Sequence, residues 1–293
     1  MATPNSVTWQ LHADPAMWVA GISSLYLQAL HPRAAAGVVQ NSNFQQDPLG
    51  RLSRTASFVG VSTYGTAEEV ETAAAGVRSV HRSLRGRDPE TGAAFRVDDP
   101  ELLRWVHCAE VHSFLAVVRR AGYRLTDEQA DLYLTEQRAS ATLVGLHADE
   151  VPGSVADMAD YLREVRPELR RSADADVVYR FLHRPPVRGA LRRGLGVYEP
   201  VLGHLAYSLL PGWAVELYGH RPYSAARATA LLRVLRGTAK AVPGLLRWRV
   251  PSGHVNRAVH RLGWSAYPRR ALLPQGFVRR HSRSSPERPS ETS

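Results

Sequence analysis

Four features of this chain have the residue types and spacing to do chemistry. Arg51, Arg54 and Thr55 stand at i, i+3 and i+4 in "DPLGRLSRTASFVG", so a helix there gathers two guanidinium groups and a hydroxyl on one face. Exposed, that face only keeps the protein in solution. Turned inward, it needs an anion or an electron-rich atom to offset the cost of burial. The second feature is His81. In "TAEEVETAAAGVRSVHRSLRG" the apolar positions Val70, Ala73, Ala74, Val77, Val80 and Leu84 form a stripe, and His81 falls in phase with Val77 and Leu84. An inward histidine is either a hydrogen-bonded core residue or a ligand, and one on a helix of an all-α domain is a common way to hold a haem iron.

His107 is the rival. It aligns with Leu103, Val111 and Phe114 in "LLRWVHCAEVHSFLAVV", whose apolar residues occupy more than one face. It can be a core histidine, a support for a ligand elsewhere, or the ligand itself. Cys108, the fourth feature, is the chain's single cysteine. A thiolate axial ligand is one reading of it and a small buried hydrophobe is the other. One cysteine excludes an intrachain disulfide and a cysteine-based zinc site.

Other chemistries lack their residues. A carboxylate-bridged di-metal site needs Glu-x-x-His on two helices, whereas His107 and Glu110 occur in the reverse order and only once. There is no glycine-rich phosphate loop, no G-x-S-x-G elbow and no H-E-x-x-H pair.

These residues must be held by helices, because helical periodicity dominates and no alternating run competes with it. Residues 16 to 40 read as an apolar helix that Pro32 either breaks or follows with a second. Asp47-Pro48 opens the basic segment, Thr66 opens the helix of His81 and Gly86 stops it. Asp99-Pro100 opens the helix of His107, which ends near Gly122. Thr126 and Ser154 cap two more, and further helices are expected over about 173 to 182, 187 to 208, 222 to 240 and 252 to 262. No internal repeat is present. The expected architecture is one all-α, multi-helix domain over residues 1–281 with a disordered polar tail at 282–293.

The chain has 293 residues, 44% of them hydrophobic, and a formal charge of +10. That is enough for a sizeable core. The basic excess, concentrated in the last third, leaves open a helical protein that binds nucleic acid or a membrane surface, with Trp248, Trp264 and Tyr267 interleaved among the arginines. The N-terminal "MATPNSVTWQLHADP" lacks the charge and apolar run of a secretory signal. The longest apolar stretches are too short or too polar to span a bilayer. A cytoplasmic location follows as the expectation, with peripheral membrane contact through the basic end as an accompanying reading.

The ordered set "LQALHP", "RLSRT", "YG", "VHRSLRG", "DDPELLRWVHCAEVHSF" and "PGWAVELYG" resembles the MpaB-type oxygenase family, which includes the catalytic domain of latex-clearing rubber oxygenases. The resemblance covers about residues 12 to 260. It implies an all-α fold with a globin-like core, non-covalent haem b and dioxygen as co-substrate. The family's R-x-x-[K/R]-T motif falls on Arg51, Arg54 and Thr55, on the distal side of the haem. The proximal histidine falls on His81. Two departures carry consequences. Rubber oxygenases have a lysine, able to ligate iron, where this chain has Arg54, and guanidinium has no lone pair to offer. They also place a glutamate base upstream, whereas residues 15 to 46 contain no Asp or Glu and His31 is the available group. The resemblance therefore implies a haem-dependent oxygenase or oxidase acting on a small apolar or amphipathic molecule rather than on polyisoprene. A haem sensor without turnover would share its site. Trp18, Leu25 and Tyr26 are the expected pocket walls.

Overall fold

Helix starts in the computed structural model follow the chain's polar punctuation. The structure describes residues 2–41, 47–187, 189–250 and 252–274, apart from the side chains of Pro48, Leu49, Arg51 and residues 190–192. The helices, in order, are α1 (Val7–His12), α2 (Met17–Gln28), α3 (Pro32–Asn41), α4 (Pro48–Tyr64) and α5 (Ala67–Ser83). A hairpin of β1 (Arg85–Arg87) and β2 (Ala94–Arg96) follows, then α6 (Pro100–Arg120), α7 (Asp127–Leu143), α8 (Val155–Val165) and α9 (Ala173–His183). The rest comprises α10 (Leu195–Tyr198), α11 (His204–Tyr207), α12 (Gly212–Tyr218), α13 (Ala225–Ala241), α14 (Gly244–Arg247) and α15 (His254–Leu262). The expected all-α class is what the chain adopts, and the expected tail at 282–293 lies outside the described residues.

Local chemistry explains the starts. Thr66 and Glu69 form a reciprocal capping box on α5, and Thr126 and Gln129 form another on α7. Each satisfies two backbone donors that the first helical turn leaves free. Asp99 and Asp47 cap α6 and α4, both followed by proline at the first helical position. Pro32 opens α3 rather than breaking α2.

Three expectations are corrected. First, α5 ends at Ser83 and the chain turns into the hairpin, where Gly86 pairs with Phe95. A Cβ on Gly86 would lie 2.3 Å from the Phe95 ring, so this glycine permits close approach and does not stop the helix. Second, the helix expected over 187 to 208 is interrupted. A 3₁₀ stretch precedes α10, and a wider π turn at Glu199–Gly203 separates it from α11. Pro200 cannot donate within that turn, and Gly203 packs against the His183 carbonyl, 2.6 Å from where a Cβ would sit. Third, α1 is an additional helix. Its first backbone N–H groups, Val7 and Thr8, donate to the Glu136 carboxylate of α7 at 3.1 and 2.7 Å.

The main core forms where α2 lies along α6, with Tyr26, Leu27, Trp105 and Val118 fully buried and Trp105 Nε1 donating to the Gln28 carbonyl at 2.9 Å. A smaller core joins α1 and α4 to the C-terminal helices through Trp9, Tyr64, Trp248 and Val259. The indoles of Trp9 and Trp248 donate to the carbonyls of Ala266 and Ala13, each at 3.0 Å. Tyr267 packs between Trp248 and Trp264, tilted to the first and stacked on the second, so only Trp264 of this trio is strongly exposed, at 67%.

Candidate active site

Two cavities meet where α5 faces α6. The first, about 410 Å³, is enclosed by the N-terminal segment with α1, α4, α5, α6 and α7. The second, about 280 Å³, lies among α2, α3, α4, α5, α6 and α9. His81, Leu103 and Val106 line both, so His81 stands at their junction. The walls of the second cavity are mainly aliphatic, with Leu25, Leu52, Leu84, Val97 and Leu182 among them. Val80 is 54% exposed yet lines that cavity, so part of the apolar stripe of α5 faces open space instead of core.

His81 is half-buried, and its Nδ1 is enclosed with no hydrogen-bond partner in the protein. Burial lowers its pKa, opposed weakly by Asp98. A neutral imidazole with an available lone pair is what a metal ligand requires. His107 lines the first cavity only, and burial pushes its pKa down to about 4. Cys108 points into the core, lines neither cavity, and has its thiol pushed up to about 12 by burial. That thiol stays protonated, so it behaves as a small hydrophobe.

The basic face of α4 is divided. The Arg51 side chain lies outside the described residues. Arg54 is exposed and donates to the Asp47 carboxylate at 3.1 Å. Asp47 also caps the helix by accepting from Gly50 N at 2.9 Å, so one carboxylate serves both the helix start and the cation one face along. Thr55 lines the second cavity. Of the expected walls, Leu25 lines that cavity, Trp18 is 44% exposed, and Tyr26 is core. The Tyr26 hydroxyl lies 3.3 Å from the Gly203 carbonyl, to which it donates. His31 lines neither cavity. It sits beside Trp105 with its Nε2 3.6 Å from Glu168, and burial with Arg33 and Arg170 nearby pushes it down to about 4.

At the first cavity one group, His12, escaped the sequence reading, and a second, Glu110, entered it only as a di-metal pattern in the wrong order. His12, at the end of α1, has Nδ1 2.8 Å from Thr63 Oγ1 and Nε2 3.0 Å from the Tyr133 hydroxyl. Thr63 spends its own proton on the Val59 carbonyl, so His12 donates from Nδ1 and accepts from Tyr133 at Nε2. Burial pushes its pKa down to about 3. Glu110, one turn beyond His107 on α6, lines the same cavity, and burial alone pushes its carboxyl up to about 7. A Ser6 cap followed by Val7 and Leu11 at i, i+4 spacing was the available signal for α1 and hence for His12. Glu110 offers no such local signal.

Among the described residues no group of three or more His, Cys, Asp or Glu side chains is placed to hold a metal ion. A di-metal centre therefore finds no ligand set there, whereas attachment of a haem through one histidine needs only the residue at the cavity junction.

The family model described as "ER-bound oxygenase mpaB/B'/Rubber oxygenase, catalytic domain" matches residues 9–242. No curated protein and no solved structure matches the chain. The matched span runs from α1 through α13 and includes both helices that meet at His81. On that extent the protein belongs to the mpaB/rubber oxygenase catalytic-domain family and is an oxidoreductase of the oxygenase type.

Proposed function

We propose that the protein is a haem b-dependent oxygenase that uses dioxygen on a small apolar or amphipathic substrate, with His81 as the iron ligand. The observation that carries this reading is the placement of a neutral histidine with an unpartnered, enclosed nitrogen at the junction of two cavities, one of them mainly aliphatic. Haem b, when bound, supplies the activation of dioxygen. The chain's residues do the rest. Leu52, Leu84, Leu103 and Val106 exclude water from the slot. Thr55 offers a hydroxyl from the α4 side. Arg51 and Arg54 belong to the same motif and would supply permanent positive charge to the anionic groups of the haem, Arg54 by leaving its surface pairing with Asp47. Domain limits of 1–281 and a cytoplasmic site of action are part of the proposal. Among the described residues, no helix is long and apolar enough to cross a membrane.

The protein reconstituted with haem is expected to show a Soret band that His81→Ala abolishes or shifts strongly, while His107→Ala leaves it in place. The reverse pattern would transfer the ligand role to His107. Turnover of an apolar substrate with consumption of dioxygen separates an oxygenase from a haem sensor.

A second reading concerns partners. No Asp or Glu lies between Glu216 and Glu287, and Leu245, Leu246, Val250, Leu262 and Trp264 are exposed within that basic stretch. Exposed aliphatic side chains among arginines suit an anionic lipid surface better than nucleic acid, because leucine and valine do not stack on bases. Co-sedimentation with phosphatidylserine-containing vesicles is expected to exceed that with pure phosphatidylcholine vesicles and to fall in Leu246→Glu/Trp264→Glu. Equal sedimentation with both vesicle types contradicts this contact.

A further inference from the structure

The first cavity is lined by several polar side chains, and nearly all of them are satisfied by the protein. His12 is held by Thr63 and Tyr133. Glu136 is occupied by the backbone N–H groups of Val7 and Thr8. Gln137 donates to Thr8 Oγ1 at 3.0 Å and accepts from Ser140 at 2.9 Å. Ser62 and Thr135 donate to the Phe58 and Gly153 carbonyls. When these are set aside, Glu110 and His107 are left beside the shared His81. No described residue donates a hydrogen bond to the Glu110 carboxyl, and no neighbouring cation offsets its burial. Both side chains are part-buried and line the cavity without a protein partner, so their polar atoms are left for whatever enters it.

We propose that this cavity is a binding chamber that selects a molecule with an apolar body and a hydroxyl end, the hydroxyl seated between Glu110 and His107. The chemistry of the pair decides the ligand class. Glu110 accepts a hydrogen bond when ionised, and neutral His107 carries one N–H and one lone pair. A hydroxyl donates once and accepts once, so it can satisfy both side chains together. An ammonium has three donors and no acceptor. It would leave an imidazole N–H unmet when that proton faces it, and it would bury a second charge. An anion fares worst, since the lining contains two glutamates and no lysine or arginine. Phe58, Val59, Leu103, Val106, Phe114 and Val144 supply the apolar walls for the body.

Calling this ligand the substrate rests on the proposed oxygenase site at His81. The binding itself does not, and is measured without added haem. The test is calorimetric titration of the full-length chain with four probes of one shape: 4-ethylphenol, ethylbenzene, 4-ethylbenzylamine and 4-ethylbenzoate. The expected result is that 4-ethylphenol binds at least about tenfold more tightly than ethylbenzene, the difference that one hydrogen bond makes. Glu110→Leu should erase that preference while ethylbenzene still binds. Glu110→Gln, which keeps the shape, should reduce the preference and carries the test if the leucine variant does not fold.

The proposal is overturned if the phenol and the hydrocarbon bind alike, if no probe binds, or if the preference survives in both variants. It is also overturned if the amine or the benzoate binds most tightly. A chamber that passes while His81→Ala leaves the haem spectrum unchanged would refute the haem assignment alone. A normal haem spectrum with a failed titration would refute the chamber alone.

Discussion

Lowering the pH from 7 to 4.5 is expected to remove most of the protein's stability, with urea midpoints falling steeply below pH 6. Four histidines drive it. Burial pushes His12 down to about 3 and His31, His107 and His112 down to about 4. All four therefore stay neutral in the native state while the unfolded chain protonates them near pH 6.5. The unfolded state then binds more protons throughout that window, so stability is full above pH 6.5 and falls as the pH drops toward 4. A histidine lowered to about 4 contributes on the order of 3 kcal/mol across the window, a large share of a typical folding free energy of about 5–15 kcal/mol.

Glu110 acts in the opposite sense. Its carboxyl holds a proton up to about 7 in the native state, so it favours folding as the pH falls from 7 toward the ordinary carboxylate range. One such group reduces the effect of four histidines without reversing it. Urea denaturation at pH 7, 6, 5 and 4.5 measures the net slope. In His112→Gln that slope should lose about one proton. A denaturation midpoint that is flat between pH 7 and 5 would contradict the burial assigned to these rings.

Arg236→Ala is expected to cost on the order of 3 kcal/mol, or roughly 6–12 °C in melting temperature. Asp14 lies in the turn between α1 and α2 with its side chain only 2% exposed. Arg236 of α13 donates to both of its oxygens, from Nε at 2.9 and 3.0 Å and from a terminal nitrogen at 2.8 Å. It also reaches the Ala121 carbonyl at the end of α6. Burial raises the Asp14 pKa, but the Arg236 pairing, the Ala16 N–H and Lys240 together hold it below the usual carboxylate range. Removing Arg236 leaves a buried carboxylate with only the half-exposed Lys240 at 3.2 Å, and an uncompensated buried charge is the costly state. Asp14→Leu/Arg236→Leu should recover much of the loss, because it removes both charges. A loss below about 1 kcal/mol in Arg236→Ala, typical of an exposed pair, would show that this contact does not tie α13 to the front of the domain.

Features set by a few neighbouring residues could be read from the sequence. The Thr66–Glu69 and Thr126–Gln129 boxes, and the Asp-Pro starts of α4 and α6, depend on three or four residues each. The phase of His81 was legible for the same reason, since it is fixed by the spacing from Val77 to Leu84. Features that depend on distant partners could not be read this way. α1 is six residues long and is completed by Glu136, well over one hundred positions away, so its Ser6 cap and single Val7–Leu11 repeat are a faint signal. The three-residue strands of the hairpin are below the length at which alternation shows.

The candidate site divides along the same line. His81 and the α4 motif were visible as local patterns, and Thr55 does face a cavity. The direction of Arg54 was not visible, because the Asp47 carboxylate that receives it is a matter of side-chain conformation. Glu110 was noted only as a metal-ligand pattern in the wrong order. Its importance comes from what does not touch it, and that depends on how α1, α4 and α7 close over α6.

The central claim, that this member of the family holds haem b through His81, is tested most directly by titrating the purified chain with haemin and recording the absorption spectrum. The predicted result is a Soret band that saturates at one haem per chain and that the His81→Ala protein does not reproduce. A chain that gains no Soret band, or a His81→Ala protein that saturates with the same spectrum, would contradict it.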